Sequence, residues 1–552
     1  MFKINKKLFL ILISIFYIKL SYAEQSGQTL RIEQPKKIEC KKASLEKQDI
    51  EPYQWNGWGN GLDQKRFQSN SKSNISIKDL PKLKLLWAYG FSSSNKVDAQ
   101  PTVIGNVIYT SGGSNTIHAI DLLTGCKIWS TNLSGRVRTA IVAGEIDNKT
   151  QLFFGDQNGI AYAYDALSGK KIWEKRLDNH PFAQITGSPV LFNSVVYFPT
   201  SSGREEGAAT DPNYPCCSFR GSLSALKAND GSVIWKTFTI SETPTKNKTD
   251  KLGPSGAGIW SSPTIDVESG TIYVGTGNNF SFPATNTSDS IIAISLDSGS
   301  ILWVKQITPR DTTNVSCYTE DRKNCPTPAA PDYDFASSVI VIKDSQNRKI
   351  LLAGQKSGVV TALDPNKNGE ILWQKKIGNG SPLGGIQYGM TTDGKFLYAA
   401  ISYISVQRSS SSVKGAQQGH DGWYLLDSRG GGLHALDIST GELKWTSVHP
   451  GCNQIPGCSQ AQSAALTSSD DFVLSGGMDG VLRAYASDTG KIIWDVDTKV
   501  NLKSNNGMSV KGGSIDGPGP VLVNNMLLVT SGYQFQGGVP GNALLAFALD
   551  KD

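Results

Sequence analysis

The 552-residue sequence contains no CxxCH segment, which excludes a covalently attached c-type haem on its usual motif. Its five histidines, His118, His180, His420, His434 and His449, form no close ligand pair, so the pattern expected of a zinc site is missing. Charge of one sign is scarce as well. The formal net charge is +6, and four of those charges are lysines in the first 23 residues, where no acid opposes them, leaving +2 for the rest. That excess gives no basis for a polyanionic partner such as nucleic acid. The one long apolar run, Leu8 to Ile18, is eleven residues and too short to span a bilayer. Helical periodicity is nowhere sustained, and the glycine-rich pieces GTGNN and SRGGGL lack the strand-to-helix setting of a nucleotide loop.

What is present begins with an export signature. Residues 1–23 carry lysines at 3, 6 and 7, then the apolar run, then the small-residue ending Ser-Tyr-Ala, the layout of a cleavable signal peptide. No lipid-attachment cysteine follows it closely, so the mature chain is expected to be soluble and periplasmic. Residues 24–80 read as an N-terminal extension and 81–552 as the main domain. Eight cysteines, at 40, 126, 216, 217, 317, 325, 452 and 458, are an even count in an exported chain and favour disulfides over metal thiolates. Cys317 with Cys325 and Cys452 with Cys458 could close short loops, and Cys40 with Cys126 a long one; sequence alone does not fix the pairing.

From Thr116 onward the chain repeats a phrase of the form apolar-x-Ala-x-Asp-x-x-x-Gly-x-x-x-Trp. It appears as IHAIDLLTGCKIW ending at Trp129, AYAYDALSGKKIW at Trp173, LSALKANDGSVIW at Trp235, IIAISLDSGSILW at Trp303, VTALDPNKNGEILW at Trp373, LHALDISTGELKW at Trp445 and LRAYASDTGKIIW at Trp494. A truncated copy, LLAFALDKD, closes the chain. Each copy reads as a strand, a turn whose Asp and Gly supply unusual backbone angles, and a second strand ending in tryptophan. Such periodicity means a solenoid or a propeller. Seven full copies and a fragment reach eight if Trp87, in LKLLWAYGF, supplies the missing outer strand, and joining first strand to last removes both sheet edges. The fold expected is an all-β, eight-bladed β-propeller whose repeat tryptophans pack between blades.

Spacing singles out where a site would lie. Trp129 and Trp173 are 44 residues apart, whereas the next four intervals are 62, 68, 70 and 72, so the middle blades carry long loops. The stretch 258–290, GIWSSPTIDVESGTIYVGTGNNFSFPATNTSDS, breaks the repeat and gathers an indole, Trp260, an amide oxygen, Asn278, and a carboxylate, Asp289.

The repeats resemble those of pyrroloquinoline quinone (PQQ) dehydrogenases, in particular the polyvinyl-alcohol dehydrogenase branch. The resemblance is carried by WNGWGNGLDQKRFQ (55–68), GRVRTA (135–140), YPCCSFRGSL (214–223), GAGIWSSPTID, GTGNNFSFPATNTSDS, CP followed by PDYDF, and SGGMDGVLRAYASDTGKIIW. The tryptophan phrase alone is shared with non-catalytic propellers; the ordered insertions are more specific.

The resemblance implies a flat tricarboxylated quinone held between two plates. One is an eight-membered ring formed by oxidation of the adjacent Cys216 and Cys217, the other the Trp260 indole; the plainer readings are cysteines bonded elsewhere and a core tryptophan. It implies calcium on hard oxygens, from Asn278 and from Glu205 or Glu206, each glutamate being equally readable as a solvated loop acid. Asp289 falls where the family has its general base, beside the metal, with a turn role as its alternative. Lanthanide-using relatives carry an aspartate two residues further on; Ile291 stands there, in favour of calcium. Lys356, in AGQKSG, resembles the cation on the quinone oxygens, and Arg138 the arginine on a PQQ carboxylate, with Arg136 its nearest competitor. Asp98 occupies a position where many relatives have glutamate. Gln387, in GGIQYG, stands where methanol-oxidising members have an asparagine-tryptophan pair.

The implied activity is PQQ- and Ca2+-dependent oxidation of an alcohol, a secondary one and, by the polyvinyl-alcohol branch, a polymeric one, with electrons passed to a separate cytochrome c. The rival is a non-catalytic envelope scaffold resembling an outer-membrane assembly lipoprotein, which needs neither the vicinal cysteines nor the off-repeat Trp260, Asn278 and Asp289. A quinoprotein that binds its cofactor and turns over poorly is the third reading.

Overall fold

The computed structural model describes residues 27–40, 45–46, 53–92, 95–247, 250–408, 417–418, 423–429, 431–452, 458–534 and 537–549. The signal peptide expected at 1–23 lies outside the described residues. Eight antiparallel sheets of four core strands follow one another along the chain, as the repeat predicts. The sheet that completes the ring pairs Leu83–Gly90 with Ala543–Leu549, Trp87 standing opposite Ala546, so strands from the two ends of the domain share one blade.

The tryptophan phrase works as a docking device between blades. A Cβ on the phrase glycine of each following blade would collide with the preceding indole: one added at Gly169 would stand 2.7 Å from Trp129, at Gly231 2.7 Å from Trp173 and at Gly441 2.5 Å from Trp373. The indole N–H then donates to a carbonyl of that next blade, Trp87 to Leu122, Trp129 to Ala166, Trp173 to Ala228 and Trp445 to Ser487. Gly therefore serves twice, adopting a positive φ in the turn and leaving room for the ring. Trp494 is followed by the truncated copy, which has no such glycine, and its indole nitrogen is buried without a partner.

The region 24–80 is woven into the ring. Gln28–Leu30 adds a parallel fifth strand beside Trp494, and Tyr53–Trp55 adds a fifth strand to the Trp129 blade. Residues 56–68 then cross the inner strands of successive blades. Asn56 donates to Ala143 O at 2.8 Å, Gln64 to Pro263 O at 3.0 Å, Arg66 to Leu466 O at 2.6 Å and Gln68 to Leu522 O at 3.1 Å. The segment thus covers sheet edges that face the axis. Arg66, buried without a carboxylate, is satisfied by carbonyls and lies over Trp55 and Trp58. Burial pushes its guanidinium down to about 9.

All eight cysteines are paired: Cys40 with Cys126, Cys216 with Cys217, Cys317 with Cys325 and Cys452 with Cys458. Among the described residues no helix is long and apolar enough to cross a membrane.

Candidate active site

A cavity of about 520 Å³ opens among the long loops of the middle blades. Trp260, Asn278, Lys356, Arg138 and Glu206 all contribute to its wall. Two acids that sequence reading quoted without giving a role, Asp332 and Asp334 of PDYDF, stand with them.

Asp334 is the best-anchored group in the cavity. Its Oδ1 accepts the Asn278 backbone N–H at 2.9 Å, and its Oδ2 accepts the Trp260 indole N–H at 3.1 Å. Lys356 Nζ lies 2.7 Å from Asp334 Oδ2 and 3.0 Å from Asp332 Oδ1, and 5.3 Å from the Trp260 ring centroid. Gly277 makes room for this arrangement, since a Cβ there would stand 2.9 Å from Asp334 Oδ1. Burial alone would lower the Lys356 pKa, but Asp332 and Asp334 hold it above the ordinary lysine range. Burial also drives Asp332 well above the usual carboxylate range, with Lys356 pulling the other way.

The six-residue helix Gly203–Ala208 separates the two candidate glutamates, because consecutive helical side chains leave the axis about 100° apart. Glu206 faces the cavity; burial, then the Asp334 carboxylate, push its carboxyl up to about 8, with Lys356 opposing. Glu205 turns the other way and is fully buried. It accepts from Tyr214 Oη at 2.8 Å, Ser218 N at 2.7 Å and Phe219 N at 2.8 Å, with His180 Nε2 at 3.3 Å. Its carboxylate organises the loop behind the wall.

Asn278 spends both amide hydrogens on backbone carbonyls, those of Asn279 at 3.0 Å and Thr313 at 2.5 Å, which leaves Oδ1 as the atom for the cavity. Asn278 Oδ1, the Glu206 carboxylate and the neighbouring aspartates are the hard-oxygen donors on this wall, though among the described residues no three acidic side chains converge as a metal cluster and both aspartates are paired with Lys356. A flat anionic quinone fits beside them, with the Trp260 face as plate and Arg138, Arg136 and Lys356 as cations. Arg138 also lies over the Tyr388 ring at 5.6 Å, and Tyr388 meets Trp260 edge-on at 6.3 Å. Gln387 is on the same wall.

Three other expectations are not brought to this cavity. Asp289 is fully buried off the wall, in a left-handed backbone conformation (φ 45°), and neither carboxyl oxygen meets a donor. The Cys216–Cys217 ring forms but is buried in a cluster with Ala183, Ala209, Phe219 and Phe280; of these Phe280 reaches the wall. Asp98 is paired with Arg136 and lies behind Trp260 and Arg138, on a cavity of about 20 Å³. The signal that sequence reading left unused was the DxD pair in PDYDF, displaced by the inserted loop 307–330.

Ring and site together define a propeller with an axial acid, lysine and tryptophan cluster. A family model described as "Outer membrane protein assembly factor BamB" matches residues 71–316 and 356–534, the repeat-bearing part. Polyvinylalcohol dehydrogenase from Sphingopyxis sp. (strain 113P3) is 36% identical over 522 residues, 90% of this chain and 76% of that protein. Its counterpart from Pseudomonas sp. is 33% identical over 90% of this chain and 77% of its own. The crystal structure of quinohemoprotein alcohol dehydrogenase from Comamonas testosteroni superposes with a TM-score of 0.66 over 90% of this chain and 81% of that one, at 19% identity, a likeness of fold. The chain belongs to the PQQ-dependent (quinoprotein) alcohol dehydrogenase family, alongside the polyvinylalcohol dehydrogenases.

Proposed function

We propose that the protein is a periplasmic, calcium-dependent member of this family. It oxidises a secondary alcohol, in polymeric form as the names of the relatives suggest, and passes two electrons to a separate cytochrome c. One observation carries the reading: a carboxylate, Asp334, held in the cavity by an indole N–H, a backbone N–H and a lysine at once.

Asp334 takes the hydroxyl proton, the role that sequence reading gave to Asp289. Bound PQQ would supply the electrophilic, hydride-accepting chemistry. Lys356 offsets negative charge that develops beside it, and Trp260 keeps water from one face. Asn278 and Glu206 would hold the calcium, and Arg138 would pair with a cofactor carboxylate.

The test is reconstitution of purified protein with PQQ and CaCl2, followed by dye reduction with primary alcohols, secondary alcohols and polyvinyl alcohol. Asp334→Asn is expected to keep the bound-quinone absorbance and lose turnover by about 10²- to 10⁴-fold. Unchanged turnover in that variant would remove Asp334 as base. Failure to bind quinone at all would favour the scaffold reading that the assembly-factor model describes.

A further inference from the structure

Arg138 is a cavity cation that no acid neutralises. Among the described residues no carboxylate stands within ion-pair distance of it, and Asp98, which shares the small cavity beside it, is paired with Arg136 and lies 3.9 Å from Lys96. The guanidinium lies instead over an aromatic face, its Cζ 5.6 Å from the centroid of the Tyr388 ring. The distinction matters to a ligand. A carboxylate partner would cancel the positive charge and occupy the N–H groups, whereas a ring quadrupole attracts the cation and leaves both its charge and its in-plane donors for an anion.

Tyr388 is fixed from several sides. It is only 6% exposed and sits in the loop 384–389. Gly385 seats that loop against Lys356, since a Cβ there would stand 2.0 Å from Lys356 O, and the Tyr388 N–H donates to Ser463 O at 3.3 Å. The ring meets Trp260 at 6.3 Å and 78°, and Tyr533 at 6.3 Å and 71°, with the two phenol oxygens 3.3 Å apart. Tyr533 is itself buried, in the loop that follows Met526–Ser531 in the blade that closes the ring.

Arg138, Trp260, Tyr388 and Tyr533 thus come from the loops of four different blades, and Tyr388 touches each of the other three. Arginine has many rotamers, and fixing it costs conformational entropy. A rigid, braced ring beneath the guanidinium lets the protein meet that cost before the ligand arrives.

We propose that Tyr388, braced by Tyr533 and Trp260, is a positioning residue of the quinone pocket: its ring face holds Arg138 as an unneutralised cation, ready for a carboxylate of the flat cofactor. The role rests on the quinoprotein reading of the cavity.

Quinone affinity of the apoprotein, followed by bound-quinone absorbance with no alcohol present, tests it. Phenylalanine at position 388, and then phenylalanines carrying one, two and three ring fluorines, keep the shape of the side chain while draining negative charge from its face. Tyr388→Phe should bind quinone within a few-fold of wild type, and the dissociation constant should then rise stepwise with fluorination, by roughly tenfold across the series. In an Arg138→Met background the same series should be flat, because the ring has no cation to hold. A ring that merely fills space would give a flat line in both backgrounds. The proposal is overturned by that result, by an affinity that improves with fluorination, or by a slope that survives Arg138→Met. A wild type that binds quinone yet oxidises no alcohol defeats the proposed activity and leaves this comparison decisive; a wild type that binds no quinone overturns both.

Discussion

The Lys356 ammonium and the Asp334 carboxylate meet at 2.7 Å with side chains only 6% and 9% exposed, and the lysine is shared with Asp332 at 3.0 Å. One cation thus serves two buried acids. Lys356→Met leaves both acids without their counter-ion. We expect a loss of about 3–5 kcal/mol in urea unfolding of the apoprotein, beyond the loss of turnover. A midpoint equal to wild type would mean the pair is not sheltered from water.

Calcium should separate the two glutamates. Chelation should abolish turnover and added calcium restore it, with Glu206→Gln weakening the calcium requirement of reconstitution by about tenfold or more. Glu205→Gln should leave calcium affinity alone and cost about 1–3 kcal/mol of stability, because the Ser218 and Phe219 N–H groups and Tyr214 lose their charged acceptor. Calcium titration and urea unfolding of both variants check this.

Stability should fall on acidification through His118. Burial holds this imidazole down to about 4, and its Nδ1 lies 3.1 Å from Tyr89 Oη. Between an unfolded-state pKa near 6.5 and the folded value, the unfolded chain binds a proton that the folded chain does not. Stability supplied by the neutral ring is therefore present above about pH 6.5 and is lost as pH drops toward 4, up to about 3 kcal/mol. Urea midpoints from pH 7 to 4 should decline less steeply in His118→Gln.

The docking glycines should be far more sensitive than others with similar backbone angles. Gly441→Ala places a methyl 2.5 Å from the Trp373 ring at φ 71° and should cost about 2–4 kcal/mol. Gly270→Ala, at φ 62° with open space around it, should cost about 1–2 kcal/mol. Thermal unfolding of the two variants measures the difference.

The ring was legible because its cause is local: the phrase encodes a hairpin, a turn glycine and an indole that needs that glycine, and eight such units have few ways to pack. Trp260, Asn278, Arg138 and Lys356, which the resemblance singled out, lie together on one cavity wall. Which acid faces the cavity was not legible. Asp289 and Asp334 each follow a long loop, and which one opens to the cavity depends on how the 307–330 insertion folds back, a long-range property. Adjacency told that Cys216 and Cys217 could bond, yet not which way the ring faces. Glu205 and Glu206 were indistinguishable until a single turn of helix set their directions.

The blade that joins Leu83–Gly90 to Ala543–Leu549 carries a consequence for biogenesis. Its partners are separated by some 450 residues, a span matched by Gln28–Leu30 beside Trp494, so this pairing needs residues beyond 540 and carries a large loop-closure penalty. A nascent polypeptide shorter than residue 543 exposes an unpaired β-edge at the seam. Ring closure is therefore expected late in folding, with the seam edge covered only once it is made.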